Sequence, residues 1–344
     1  QAEETAEDLL RLLGAGLSVR DVNVSVEARA GLAGYPPHGD DADQLLKRAA
    51  VARNEARSAD TPVVVYQPGN EERHVRQLAI LADLRRAARH DELRLYLQPK
   101  IRLADGRICG AEALVRWQHP VFGFLTPDQF IPLAEKSGNI SLITNWALTA
   151  AVRECRLWLE EGLDLPVAVN LSSRDLQNRD LPCFVLELLR DHDLPARNLA
   201  LEITEQAVMR DFQRATLVLE CLRDLGIRIA IDDFGTGYSS LAQIKHLPVD
   251  ELKIDRSFVM DLPGNDDDAA IVRASIDLAH NLGLEVLAEG VETQPALEWL
   301  QAQGCEQAQG FLISKPMPGE QFSAWVRSHE RDETQPGTVL RIAS

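Results

Sequence analysis

Cysteine is scarce in this chain and scattered: Cys109, Cys155, Cys183, Cys221 and Cys305, an odd number with no Cys-x-x-Cys pair. Such spacing argues against a disulfide framework and points to free, buried thiols in a reducing compartment. No apolar run approaches the roughly 18 residues of a membrane-spanning helix, and no signal peptide is visible. Positive charge is also short, 36 Lys and Arg against 53 Asp and Glu, leaving a net charge of −17. Non-specific DNA binding and attraction to an anionic membrane are therefore not expected of this fragment. An anionic substrate stays open, because bound divalent cations reverse the local field. The eight histidines carry no metal-ligand spacing. His119, just before Pro120, reads as a turn residue, and His246 and His280 fall on expected helices. The glycines of the 234–241 stretch (Phe-Gly-Thr-Gly-Tyr-Ser-Ser-Leu) lack a closing Lys-Ser/Thr, which excludes a P-loop. The first residue is Gln1 rather than Met, so we expect a fragment of a longer, cytoplasmic protein.

What is present has a rhythm. Residues 1–75 contain a helix over Glu3–Leu13, an alternating run over Val22–Ala28, a turn at Pro36-Pro37, a helix over Ala42–Arg57 and a short strand at Val63–Tyr66. Gln67–Glu72 reads as a linker. Val75–Ala88 reads as a connecting helix with Leu78, Leu81 and Leu84 on one face. From Leu93 onward a helix ends at a glycine, a strand follows, and a polar residue closes the strand. Gly162, Gly226, Gly283 and Gly304 are the expected helix stops. Near-continuous apolar strands between amphipathic helices indicate a parallel sheet covered by helices, as over Ile271–Leu282, where Ile271, Ala274, Leu278 and Leu282 share a face. Strands starting near Leu93, Arg107, Val167, Leu199, Arg228, Glu251, Glu285 and Ala308 make about eight in about 240 residues, the count and length of a TIM-type (β/α)8 barrel. An open doubly wound sheet would need a glycine-rich loop after its first strand, and none is there. We divide the chain into a small α+β segment (1–75), a connecting helix (76–90), a barrel domain (91–330) and a tail (331–344).

The polar strand endings carry the chemistry. An acid after a strand is by default a turn or cap residue. Glu112, inside Ala111-Glu112-Ala113-Leu114-Val115, resists that reading, since a buried mid-strand acid needs a partner. Asn170 could cap a following helix that begins near Ser172. Glu202 interrupts Leu199–Ile203, where an unpaired buried charge would be costly. Asp232 and Asp233 are adjacent and repel unless a cation bridges them or one is protonated. Lys253 stands in the apolar Glu251–Ile254 strand as a counter-charge. Glu289 precedes Gly290. Glu205, just past its strand, either holds the backbone of the 234–241 loop or is a surface glutamate. Six oxygen ligands and a lysine at the ends of different strands suit a two-cation site, with ions about 3.5–4 Å apart activating water against a phosphorus centre. Oxygen-only donor sets select Mg²⁺ or Mn²⁺.

The ordered series Tyr96-Leu97-Gln98-Pro99, Glu112-Ala113-Leu114 with Arg116, Asn170, Glu202 with Glu205, Asp232–Gly237, Lys253-Ile254-Asp255, Ala288–Glu292 and Gln309-Gly310 with Lys315–Pro318 resembles the EAL-domain cyclic-di-GMP phosphodiesterases. The resemblance runs from about Leu93 to Val326. It implies hydrolysis of cyclic di-GMP to linear pGpG on a TIM-type barrel with two Mg²⁺ or Mn²⁺ ions, in a homodimer formed through the EAL domain. It implies Glu112, Asn170, Glu202 and Asp232 at the first ion and Asp232, Asp233 and Glu289 at the second. Gln98, Leu114, Arg116, Asp255 and Gln309 would meet the substrate and its waters, Lys253 the attacking water or a phosphate oxygen, and Glu205 the loop. The general base is open between Lys253, Glu289 and a cation-held hydroxide. Residues 1–75, through Val24–Pro36, Asp41–Ala56 and Val63–Tyr66, resemble the C-terminal half of a GGDEF diguanylate cyclase domain without its signature hairpin, which implies no cyclase activity for this polypeptide. A non-catalytic cyclic-di-GMP receptor would show a lost ligand, and an enolase-like barrel would not need the whole motif series; neither sign is in the sequence.

Overall fold

In the computed structural model, residues 2–14, 17–19, 22–24, 27–236 and 241–333 are described. They fall into two compact units, Gln1–Asp83 and Leu84–Ser344.

The first unit sets helices Ala2–Gly14 and Ala42–Ser58 with a parallel strand pair, Ala30–Leu32 and Val63–Val65, and an antiparallel ribbon, Leu17–Val19 with Val22–Val24. Asp41 starts the second helix by accepting the N–H of Gln44 at 2.8 Å. Gly31 lets its strand lie directly on that helix, because a Cβ there would fall 2.1 Å from the backbone nitrogen of Arg53. The segment read as a linker is shorter than expected. A helix already begins at Asn70 and runs to Ala87, and Glu71 and Glu72 form its acidic first turn. Its buried apolar positions are Ile80, Leu84 and Ala87, whereas Leu78 is exposed.

The second unit is a closed eight-stranded barrel. Its strands are β1 (Leu93–Arg102), β2 (Ile108–His119), β3 (Val167–Leu171), β4 (Leu199–Thr204), β5 (Arg228–Phe234), β6 (Glu251–Ile254), β7 (Glu285–Ala288) and β8 (Gln307–Ala308). Neighbours from β2 through β8 pair in parallel. The sheet closes through β1, which is antiparallel to both β2 and β8. The connection between β1 and β2 is too short for a crossover, which needs a dozen or more residues, so it forms a hairpin. The expected all-parallel sheet is therefore broken at one strand.

The strands are not apolar on both faces. One face of the pleat presents Leu97, Val169, Leu201, Ile231, Leu252 and Val286, which join helix residues such as Leu148, Leu219 and Val272 in one core. The opposite face points into the barrel and carries Gln98, Lys100, Glu112, Glu202, Lys253 and Gln309, which touch one another across the interior. Most TIM barrels fill that space with bulky branched side chains. Here its lower end, toward the strand N-termini, opens into a cavity of about 710 Å³ whose lining includes Lys100, Ala168, Ala200, Ala230, Glu251 and Gln307. The core thus lies between strands and helices, and the barrel axis is left for polar groups.

The glycine stops hold, all four at positive φ; Gly283, at φ 75°, donates back to Ala279 and His280. The helix face over Asp266–Leu282 is rotated by one residue from expectation. Ala269, Val272, Ile276 and Ala279 are buried, while Ile271 and Ala274 are exposed. The five thiols are free, but only Cys155 and Cys305 are fully buried, and Cys183 and Cys221 are exposed. His246 lies in the turn after the short helix Leu241–Ile244 rather than on it. Among the described residues no helix is long and apolar enough to cross a membrane.

Candidate active site

Because β2 to β8 run the same way, the polar residues that end them gather at one mouth of the barrel. Gln98 joins them although β1 runs the other way, since its register partner is Glu112. Lys253 is the centre of the group. Its Nζ, fully buried, lies 2.6 Å from Oε2 of Glu202, 3.1 Å from Oδ1 of Asp232 and 2.6 Å from Oε1 of Glu289. Burial alone would strip its charge, but Asp232, Glu112, Glu202 and Glu289 outweigh burial and hold the ammonium well above its ordinary range.

Glu202 has no exposed surface. Each of its oxygens accepts from a lysine, Oε1 from Lys100 and Oε2 from Lys253, both at 2.6 Å. Burial pushes this carboxyl up, and the two lysines overcome that and bring it down to about 2. Glu112 is held between amides: Asn170 donates to Oε1 at 2.8 Å and Gln309 to Oε2 at 2.6 Å. Asn170 therefore does not act as a helix cap. The backbone N–H of Ser172 is taken instead by buried Asp175, which also accepts from the hydroxyls of Ser141, Thr144 and Ser172.

Asp232 and Asp233 both face the site because the β5–β6 register shifts between Ile231 and Phe234. A bulge of this kind re-aims side chains that simple alternation would send to opposite faces. Asp233 adopts φ 53° and donates its N–H to Oδ1 of Asp232 at 2.9 Å. Burial, the Asp232 charge and Asp255 push its carboxyl up to about 6. Glu289 is pushed up to about 8 by burial, with Asp232, Glu112 and Glu202 adding to it against the opposing Lys253. With Glu251 beside Lys100, six carboxylates thus share two ammonium groups, and the acids at the mouth remain undercompensated. An oxygen from each of Asp232, Asp233 and Glu289 lies within 4.8 Å of the others. Oxygen-only donors with surplus negative charge fit a hard divalent cation. Among the described residues the amide oxygen of Gln309 is buried with no hydrogen-bond partner.

The other expected ligand set is less convergent. Glu112, Asn170, Glu202 and Asp232 stand on consecutive strands, but the oxygens of Glu112 and Glu202 are already engaged by amides and lysines. Gln98 is buried and tied to Gln309 and to the carbonyl of Ser314, at 3.0 and 3.2 Å. Leu114 and Arg116 follow Glu112 on the same face of β2, farther out. The Arg116 guanidinium lies 5.6 Å from the ring centroid of Tyr96, which meets Phe124 edge-on at 5.8 Å. Asp255 caps the helix Arg256–Val259 through the N–H of Ser257, and it helps push the Asp233 carboxyl up.

Glu205 is buried, not a surface residue. Its Oε2 accepts the N–H of Gly235 at a long 3.4 Å. Thr236 closes on the carbonyl of Asp233 at 2.9 Å. Residues 237–240 of the expected loop lie outside the described residues.

Sequence reasoning missed Lys100. The signal was available: it is a lysine between Pro99 and Ile101, two residues from Gln98 and so on the same face of the strand.

A model of the EAL domain family matches residues 81–316. The chain is 41% identical over 327 residues to the bifunctional diguanylate cyclase/cyclic di-GMP phosphodiesterase MucR of Pseudomonas aeruginosa, covering 94% of this chain and 48% of that protein. It is 38% identical over 352 residues to the cyclic di-GMP phosphodiesterase NbdA of the same organism, covering 100% and 44%. The chain spans about half the length of these curated relatives. Among solved structures it is similar to a PaMucR phosphodiesterase in complex with c-di-GMP, with a TM-score of 0.68 and 47% identity over 71% of this chain and 99% of that one.

Proposed function

Given that this chain belongs to the EAL domain family, we propose that it hydrolyses cyclic di-GMP to linear pGpG. The observation that carries the reading is the set of five carboxylates around Lys253, three of them pushed up by burial and by one another. The activities named for MucR and NbdA support the choice of substrate.

Asp232, Asp233 and Glu289, with Glu112, Asn170 and Glu202, would hold two Mg²⁺ or Mn²⁺ ions. Such ions neutralise phosphate charge and make a water more acidic. The protein's own groups do the rest. Arg116, with Leu114 beside it and Tyr96 beneath it, receives a phosphate at the mouth, where a planar guanidinium can bind two oxygens at once. Gln98 and Asp255 border the substrate on either side. Lys253, kept charged by its acids, cannot accept a proton; it steadies negative charge on the phosphoryl oxygens and orients the attacking water. Glu289, at the mouth beside Lys253 and ionised when it holds a cation, is the side chain we assign to take the water's proton. Gln309 offers its amide oxygen to that water, and Glu205 holds the start of the loop after Asp233.

We further assign residues 1–75 to the C-terminal half of a GGDEF domain without cyclase activity, and the assembly to a homodimer that light scattering would reveal. The function itself is tested by incubating the protein with cyclic di-GMP and Mg²⁺ and separating the nucleotides. Accumulating pGpG is the expected result. Tight binding without product would favour a receptor, and no binding would remove both readings.

A further inference from the structure

We infer that Lys100 is a positioning residue that aims the Glu202 carboxylate at the cation-binding end of the barrel. The inference rests on the proposed role of Glu202 as a cation ligand. Lys100 enters from the antiparallel strand β1, two residues beyond Gln98, and lies one layer below the mouth. Its Nζ donates to Oε1 of Glu202 at 2.6 Å and stands 3.6 Å from Oε1 of Glu251, on the side of the lower cavity. Lys253 holds the opposite oxygen, but it is shared among three acids at the mouth, where a cation would compete with it for those acids and a phosphate would compete with them for its ammonium. Lys100 is bound away from that competition. The terminal torsion of a glutamate is broad and weakly preferred, so a carboxylate in a polar interior needs an external anchor. Lys100 fixes one oxygen from below and leaves the other facing upward.

Position and charge make opposite demands on a bound cation. A lysine near a cation site repels the cation, so if Lys100 acted only as a charge, its removal would tighten binding. If it acts by aiming Glu202, its removal loosens binding although a positive charge is lost. The experiment measures Mn²⁺ affinity calorimetrically without nucleotide, on wild type, Lys100→Met and Lys100→Arg, with thermal unfolding recorded for each. We expect Lys100→Met to weaken Mn²⁺ binding by at least about tenfold, the scale of lost support behind a metal ligand. Lys100→Arg keeps the charge but not the point at which it is delivered, and should weaken binding by about threefold or more. Unchanged or tighter binding in Lys100→Met overturns the inference. Should that variant fail to fold, wild-type affinity in Lys100→Arg overturns it equally. Failure of wild type itself to bind Mn²⁺ would instead remove the cation reading on which the inference stands.

Discussion

Gln309 reaches past β1 to Glu112, its Nε2 donating to Oε2 at 2.6 Å while the same nitrogen donates to Gln98 at 3.0 Å. With Asn170 on the other oxygen, β3 and the end of β8 fix the carboxylate of β2 from both sides. Glu112→Ala removes a proposed ligand and strands both amides. Outer supports of a metal ligand are worth about 10–100-fold, so loss of the ligand itself should lower turnover by at least about 10²-fold. The fold should persist, since the barrel's apolar core lies on the other face of β2. Turnover and a far-UV spectrum test this together, and wild-type turnover in Glu112→Ala would remove it from the ligand set.

The raised acids give the cation a pH signature. Folding lifts Asp233 from 3.8 to about 6 and Glu289 from 4.5 to about 8. In the folded, cation-free protein these groups bind protons that the unfolded chain has already lost. Their contribution to stability is fully present below about pH 4 and is lost as pH rises through 6 and then 8. A cation binds the ionised forms and reverses that loss. The rise in Tm on adding saturating Mn²⁺ should therefore be larger at about pH 8.5 than at about pH 5.5. A rise that is flat or shrinks with pH would show that these carboxyls are not the cation's partners.

Much of this was legible from strand endings. The eight strands, the glycine stops and the gathering of Glu112, Glu202, Asp232, Lys253 and Glu289 follow from short apolar runs that each end in a polar residue. Three things were not. The antiparallel β1 depends on connection length rather than on its own residues. The rotated face of Asp266–Leu282 reflects two adjacent stripes, Ile271–Leu278 and Val272–Ala279, which differ little in apolarity and are distinguished only by packing. The convergence of Asp232 and Asp233 needs a bulge and a positive φ that no periodicity encodes. Lys100 was legible but unweighed, because a lysine in a strand is usually read as an outward-facing residue.

Cation identity is a separate test. The acids of the mouth are held by fixed strands and by Lys253, which suits short, regular coordination. Calcium takes more ligands at longer distances, about 2.3–2.6 Å against about 2.0–2.1 Å for Mg²⁺. Hydrolysis should be supported by Mg²⁺ and Mn²⁺ and should fall to background with Ca²⁺, with Ca²⁺ acting as an inhibitor in mixtures. Comparable rates with Ca²⁺ would argue against a tightly organised pair of ions.

Glu205 offers the sharpest separation of structure from chemistry. It is buried and, among the described residues, has no place in the cation cluster and makes one hydrogen bond to the site, from the N–H of Gly235, two residues after Asp233. Asp233 sits at φ 53°, in the left-handed region that aspartate tolerates better than most residues, two positions before Gly235. Release of Gly235 in Glu205→Ala should let Asp232 and Asp233 sample poorer geometry, and a displacement near 1 Å can cost roughly 10²-fold in rate. The loss should appear in kcat and in the Mg²⁺ concentration needed for half-maximal rate, with KM for the nucleotide little changed. Glu205→Gln keeps an oxygen for Gly235 and should recover most of the rate, which a lost charge would not allow. Turnover across a Mg²⁺ titration for both variants decides the matter. A rate within about twofold of wild type for Glu205→Ala, roughly 0.4 kcal/mol in barrier height, would leave Glu205 as a buried structural residue with no part in the reaction.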